Sequence, residues 1–212
     1  MGKIRILIAD DHAIVRHGLR QIVADAEEFE VAGEAQDGVE CMQKLRQDVF
    51  DLLMLDVSMP IRNGIDTLKL VRKEFPRLPV LVLSMHPEDQ YAIRALKAGA
   101  SGYLTKQSAP EQLVTALRQV ASGKKFISPS LALELADAIT KDTDKPPHEQ
   151  LSDREYQTLC MIASGKTLSN IAEELNLSVK TVSVYRTRLL EKMGLKNNAE
   201  LTHYAMKQGL VE

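Results

Sequence analysis

Two four-residue runs constrain this chain most: Ile6-Leu7-Ile8-Ala9 and Val80-Leu81-Val82-Leu83 are apolar at every position. A strand turns successive side chains to opposite faces, so a run with no polar position has no face to offer to water. Both faces must be covered, and the sequence supplies the cover. Short apolar runs at 4–9, 31–35, 52–55, 79–83 and 102–104 alternate with helical patterns at 12–26, 38–49, 64–74, 87–98 and 109–121. In the fourth pattern Tyr91, Ala92, Ala95, Leu96 and Ala98 form the apolar stripe, and Gly99 stands where a left-handed cap stops the helix. Five β–α units in about 120 residues predict an α/β fold, a doubly wound five-stranded parallel sheet with right-handed crossovers.

Beyond residue 122 the pattern changes. Ser128-Pro129 can start a linker helix that Leu131, Leu133, Leu135 and Ile139 continue, and 141–150 has no apolar residue except its prolines, which reads as a tether. The remainder is all helical. Ser152 and Glu155 form a capping box opening a helix through Ala163, closed by Gly165. A short helix over 168–175 is followed by the turn Asn176-Leu177-Ser178, a helix over 179–193 ended by Gly194, and a fourth over 198–208 ended by Gly209. Two helices joined by a three-residue turn make a helix-turn-helix candidate in a four-helix unit. The expected domains are 1–122, a linker with one helix over 123–148, and 149–212.

Charge is distributed unevenly. The whole chain carries −2, but 180–196 holds Lys180, Arg186, Arg188, Lys192 and Lys196 against Glu191 alone, a local +4. Aromatic content of 4% without Trp argues against a carbohydrate-stacking module. No window approaches the ~18–20 apolar residues of a membrane span, and the N-terminus is too short in apolar residues and too acid-terminated for a signal peptide. Cys41 and Cys160 fall in separate units, so no disulfide framework is expected and the cytoplasm is the default compartment.

Asp10 and Asp11 close the first strand and Asp56 the third. In a sheet of order 2-1-3-4-5 these strands are neighbours at the switch point, where ligands bind outside the carboxyl ends of the strands. Three converging carboxylates repel one another, and a hard divalent cation, Mg²⁺, resolves the conflict. Ser84 ends the fourth strand and Lys106 the fifth, so both reach the same rim. Acid pair, lone Asp, hydroxyl and lysine suit phosphoryl chemistry.

The segments Ile8-Ala-Asp-Asp-His12, Leu53-Met-Leu-Asp-Val-Ser-Met-Pro60, Val82-Leu-Ser84 and Gly102-Tyr-Leu-Thr-Lys106 resemble the receiver domain of two-component response regulators over about residues 3–121. The resemblance implies that Asp56 accepts the phosphoryl group. It implies that Asp11, Asp56 and the backbone carbonyl of Ser58 bind Mg²⁺, with Asp10 acting directly or through water. Ser84 and Tyr103 would be the switch pair and Lys106 the phosphate-binding lysine. Gln107 departs from the proline many receivers place after the lysine, which leaves a cis peptide there in doubt. His86 lies where relatives tune dephosphorylation, but also reads as a solvated loop histidine. His12 and His17 lie near the acids without metal-ligand spacing and read as surface or packing residues.

In the last unit, Leu151-Ser-Asp-Arg-Glu155, Ile171-Ala-Glu-Glu-Leu175 and the stretch from Ser178 to Arg188 resemble the LuxR-type DNA-binding domain. Together the two resemblances point to the NarL/FixJ class. On the 179–193 helix, Val182, Leu189 and Met193 share one face, while Ser183, Val184, Thr187 and Arg188 project from another. Basic residues neutralise phosphates and short side chains allow approach to base edges. By analogy Ser183, Val184 and Thr187 face bases, while Lys180, Thr181, Tyr185, Arg186, Arg188 and Lys192 mostly hold phosphates. Ser183 and Tyr185 replace the lysine and histidine of many relatives, so base preference is not transferable.

The expected function is a phosphorylation-activated transcription regulator that takes a phosphoryl group on Asp56 from a sensor histidine kinase. It binds double-stranded promoter DNA as a homodimer and has no membrane partner. It is no enzyme beyond its own aspartyl phosphorylation and dephosphorylation. A small-molecule aspartate phosphatase usually carries a second Asp two residues after the nucleophile, where this chain has Ser58. A docking-only receiver would not need the complete acidic set.

Overall fold

The computed structural model describes residues 2–85, 88–128, 131–133 and 146–211, and the chain divides into two compact units, 1–135 and 136–212. The N-terminal unit is built from β1 (Ile4–Ala9), α1 (Ala13–Ala24), β2 (Phe29–Ala35), α2 (Gly38–Gln47), β3 (Leu52–Asp56), α3 (Gly64–Glu74), β4 (Val80–Ser84), α4 (Glu88–Lys97), β5 (Gly102–Thr105) and α5 (Pro110–Ala121). The sheet is parallel throughout, in the order β2-β1-β3-β4-β5.

The two apolar runs are buried on both faces, as their composition requires. Ile6, Ile8, Leu52, Met54, Leu81, Leu83 and Leu104 face α1 and α5, and meet Leu19, Val23, Leu113, Ala116, Leu117 and Val120 in one core cluster. The alternate positions Leu7, Leu53, Leu55, Val80 and Val82 belong to the opposite face and are equally buried. Each such side chain contributes about 1.5–3 kcal/mol of burial, so register is strongly specified.

Element ends differ from the expectation in instructive places. β2 begins at Phe29 rather than residue 31: Phe29 is buried while Glu30 is exposed, an alternation proper to an edge strand. β1 ends at Ala9 as expected, and Asp10 and Asp11 follow it directly. Gly99 has φ +104°, the left-handed conformation expected of it. In the expected linker, Ser128 Oγ accepts from Leu131 N at 3.2 Å, and 131–133 are helical. The rest of that expected helix, residues 141–145 of the tether, and His86 lie outside the described residues. The tether's end is not extended: Pro147–Gln150 form a 3-10 turn.

The C-terminal unit contains α6 (Asp153–Ala163), α7 (Leu168–Glu174), α8 (Val179–Met193) and α9 (Asn198–Lys207). Ser152 and Glu155 form the full capping box, and Thr167, Ser178 and Asn197 cap the next three helices. Asn176 at φ +52° makes the α7–α8 turn, and Gly194 at φ +66° ends α8. The core of this unit is Leu159, Ile171, Leu175, Val182, Leu189, Met193, Leu201 and Ala205. The 3-10 turn is tied to the same unit, because His148 Nδ1 lies 2.8 Å from the Tyr204 hydroxyl.

Candidate functional site

The carboxyl ends of β1, β3 and β5 bring Asp10, Asp56 and Lys106 together. Lys106 Nζ lies 2.7 Å from Asp10 Oδ2 and 3.0 Å from Asp56 Oδ1, with all three side chains at least 94% buried. Asp10 is fixed at both ends: His12 N donates to its Oδ1 at 2.9 Å, and Arg16 Nη1 donates to its carbonyl at 2.7 Å. Asp11 is more open, and His12 Nδ1 sits 2.8 Å from its Oδ1. Ligand atoms of Asp10, Asp11, His12 and Asp56 all lie within 4.8 Å of one another. His12 therefore stands closer to the acids than its sequence position suggested, whereas His17 is exposed.

Burial is the main force on Asp56. It pushes the carboxyl up to about 6, against the attraction of Lys106 and with the repulsion of Asp10. Burial also works against the Lys106 ammonium, but Asp56 and Asp10 together outweigh it and hold its pKa above the ordinary lysine value. One ammonium does not satisfy the site. Asp56 Oδ2 is buried with no hydrogen-bond partner among the described residues, and Lys106 approaches Asp10 Oδ2 and Asp56 Oδ1 only as an ion pair. Buried carboxylate oxygens without donors are expensive, and hard oxygens around one point are the donor set of Mg²⁺. The residues present fit such an ion.

Ser84, at the end of β4, and Tyr103, the second residue of β5, are fully buried. Asp56 pairs with Leu83 across β3–β4, which places Ser84 one residue beyond the acid, and Lys106 N donates to the Ser84 carbonyl at 2.7 Å. The peptide between Lys106 and Gln107 is trans.

The loop after Asp56 adds residues that sequence reading passed over. Gly64 N donates to the Val57 carbonyl at 2.9 Å, and Asn63 caps α3 through Asp66 N. A Cβ on Gly64 would lie 2.0 Å from the Asp56 carbonyl oxygen, so only glycine permits this approach. Ile61 holds φ +59°, a strained conformation for a β-branched residue. The Asn63-Gly64 pair was the available signal.

In the C-terminal unit, α8 buries Val182, Leu189, Leu190 and Met193 and exposes Lys180, Val184, Thr187 and Arg188. Ser183, Val184, Thr187 and Arg188 line a shallow concavity together with Leu168, Val179 and Lys180. Thr181 and Tyr185 are half-buried, and Arg186 Nε donates to Asn198 Oδ1 at 2.6 Å. Lys192 is already engaged: its ammonium lies 2.6 Å from Glu155 Oε2.

Comparison with known proteins now decides the family. The response regulator receiver domain family matches residues 6–118, and the luxR family of bacterial regulatory proteins matches 149–205. This chain belongs to the response regulators. It joins a receiver to a LuxR-type DNA-binding domain, the NarL/FixJ arrangement. Response regulator UvrY of Escherichia coli K12 is 36% identical over 208 residues, 98% of this chain and 95% of that one. Oxygen regulatory protein NreC of Staphylococcus carnosus is 37% identical over 215 residues, 98% of this chain and 99% of the relative. Among solved structures, RcsB from Salmonella enterica serovar Typhimurium, bound to promoter rprA with the phosphomimetic BeF3-, aligns with TM-score 0.65 at 29% identity. It covers 96% of this chain and 98% of that one. A structure of two RcsB dimers on two parallel DNAs aligns with TM-score 0.61 at 31% identity, covering 97% and 98%. Among the described residues no helix is long and apolar enough to cross a membrane.

Proposed function

We propose that this response regulator accepts a phosphoryl group on Asp56 from a sensor histidine kinase and thereby gains affinity for promoter DNA. The observation that carries the reading is Asp56 itself, buried at a strand end with Oδ2 free of donors and Lys106 Nζ 3.0 Å from Oδ1. Oδ2 is the attacking atom. Its bond to phosphorus forms as the donor's N–P bond breaks, and the leaving imidazole takes a proton from solvent. Lys106 holds the phosphoryl oxygens, and the Ser84 hydroxyl binds one of them as Tyr103 follows. Asp10, Asp11, Asp56 and the Ser58 carbonyl would hold Mg²⁺, which when bound supplies charge neutralisation at the phosphoryl oxygens. The receiver catalyses only its own aspartyl phosphorylation and dephosphorylation.

DNA recognition is assigned to α8. Ser183, Val184 and Thr187 meet base edges, while Lys180, Thr181, Tyr185, Arg186 and Arg188 meet phosphates. Lys192 contributes a smaller share, because Glu155 holds part of its charge. The relatives' structures on promoter DNA and as dimers support binding of duplex promoter DNA as a homodimer, and the cytoplasm is the compartment where such DNA lies. Domain limits of 1–122, 123–148 and 149–212 fit this division of labour. Replacement Asp56→Asn tests the reading: labelling by a small phosphodonor is lost while the fold persists, and label retained at wild-type stoichiometry rejects Asp56 as acceptor.

A further inference from the structure

Several arginines of the receiver pair with carboxylates. Arg5 meets Asp48, Arg16 meets Glu34, Arg46 meets Glu74 and Arg118 meets Glu28. Arg72 and Arg77 meet no carboxylate among the described residues, and neither does Lys125. All three line one cleft of about 320 Å³ where the loops leading into β4 and β5 meet the end of α5. No acidic side chain lines it. This is the amino end of the strands, about 15 Å along β4 from the Asp56 rim.

The donors there are held in place but not consumed. Arg72 Nε donates to the Gly99 carbonyl at 2.7 Å and Nη1 to the Leu78 carbonyl at 2.5 Å, which locks the guanidinium plane. Its Nη2 has no acceptor among the described residues. Lys125 Nζ donates to the Ala100 carbonyl and keeps two further N–H bonds. Ser101 Oγ accepts from Val80 N at 3.2 Å, so its own proton is free to donate into the cleft. A Cβ on Gly123 would meet nothing within 4 Å, leaving the mouth open. Like charges gathered without a counter-charge are costly. Burial lowers the Arg72 pKa, and burial with the nearby Arg72 charge lowers that of Lys125.

We propose that Arg72, Arg77, Lys125 and Ser101 form a binding site for a small phosphate-bearing ligand, at the end of the receiver opposite Asp56. The free Arg72 Nη2, a second arginine, an ammonium and a hydroxyl match the several acceptor oxygens and double charge of a phosphate better than a single carboxylate. The cleft volume suits a diphosphate-sized group rather than a polymer. Arg77 and Leu78 also line a neighbouring groove with Leu45, Phe50 and Phe75, whose far side carries Asp48 and Asp51, and this groove offers room for an apolar body attached to the phosphate.

The experiment is amide NMR on the full chain without Mg²⁺, titrated with pyrophosphate and separately with adenosine diphosphate. The Gly99, Ser101 and Gly123 amides should shift saturably with either probe. Tighter binding of the nucleotide, with shifts at Phe50 and Phe75, identifies the ligand as phosphate with a ring; equal affinity identifies phosphate alone. The double variant Arg77→Gln/Lys125→Gln changes two exposed side chains and should keep the fold while weakening binding at least tenfold. Unmoved amides, unchanged affinity in the double variant, or shifts confined to α8 overturn the proposal. So does a response of these amides to duplex DNA but not to pyrophosphate.

Discussion

Replacing Lys192 by methionine separates the two jobs its position allows. Sequence reading assigned Lys192 to DNA phosphates, but its ammonium lies 2.6 Å from Glu155 Oε2, and that carboxylate is 4% exposed. Ser152 N donates to the same oxygen at 2.8 Å. Glu155 thus joins the capping box of α6 to the last turn of α8. A pair buried on both sides costs about 3–5 kcal/mol to break by removing one partner, and a fully exposed pair about 0.2–1 kcal/mol. Here one partner is buried and Lys192 is 43% exposed, so Lys192→Met should cost about 1–2 kcal/mol. That raises the opening frequency of α8 by roughly 5–30-fold, at tenfold per 1.4 kcal/mol. Native-state hydrogen exchange at the Leu189 and Met193 amides reads it directly. Combining Lys192→Met with Glu155→Gln should cost about 1 kcal/mol less than the sum of the single changes.

The pH dependence has a definite sign. Burial works to raise the Glu155 pKa, but the donors from Lys192 and Ser152 win and hold it below the ordinary value. A depressed acid stabilises the fold above the unfolded pKa, about 4.3, and that stability is lost as pH falls through the folded value. The deficit of Lys192→Met, measured by urea denaturation, should therefore be full at pH 7 and shrink below about pH 4. Wild-type exchange at pH 7, or a deficit that grows on acidification, refutes the pairing as a structural tie.

Gly64→Ala should lower the receiver's melting temperature by about 5–15 °C, since overpacking costs about 1–3 kcal/mol; an unchanged melting curve shows that α3 can retreat from Asp56. Mg²⁺ at a hundredfold excess over its Kd should stabilise the receiver by about 2.7 kcal/mol, and Asp11→Ala should abolish the gain; an equal rise in the variant excludes Asp11 as a ligand. Against a panel of operators, Thr187→Ala should reorder the sites at constant salt slope, while Arg188→Gln should weaken all of them and flatten the slope by about 1 unit. The opposite pattern would place α8 wrongly in the groove.

What was legible in the sequence was whatever depends on neighbours along the chain. The runs at Ile6–Ala9 and Val80–Leu83 declare buried strands by period alone, and the Ser152/Glu155 box and Gly194 declare helix ends by local chemistry. Asp10, Asp56 and Lys106 were legible because parallel topology sends every strand's carboxyl end to one rim. Pairings across long separations were not. Glu155 and Lys192 are 37 residues apart, and no local rule couples them. Neither does one couple Arg72 to the Gly99 carbonyl, 27 residues away. Gly64 reads as a turn glycine until the structure shows the Asp56 carbonyl where a Cβ would stand.

Charge bookkeeping at the acidic rim explains why that site can act as a switch. With every acid ionised, Asp10, Asp11 and Asp56 outnumber the Lys106 ammonium by two negative charges, in a place where Asp10 and Asp56 have almost no contact with water. Burial is the largest cause of the Asp56 pKa of about 6, and the Asp10 and Asp11 charges add to it against the attraction of Lys106. A divalent cation held by these carboxylate oxygens would cancel the excess charge. Phosphorylation of Asp56 then replaces one negative charge by about two, so the rim becomes one unit more negative after it has been balanced. On the proposed reading Lys106, paired here with Asp10 and Asp56, turns to some of the new oxygens, and the remainder need a further donor. Ser84, at the next strand end and one residue past the partner of Asp56, is the nearest hydroxyl the register supplies. In the proposed switch its movement toward the phosphoryl group would open space beside β5, where Tyr103 is fully buried. On that proposal Asp56 would convert a chemical event into a packing change, because Lys106 alone does not balance the added charge.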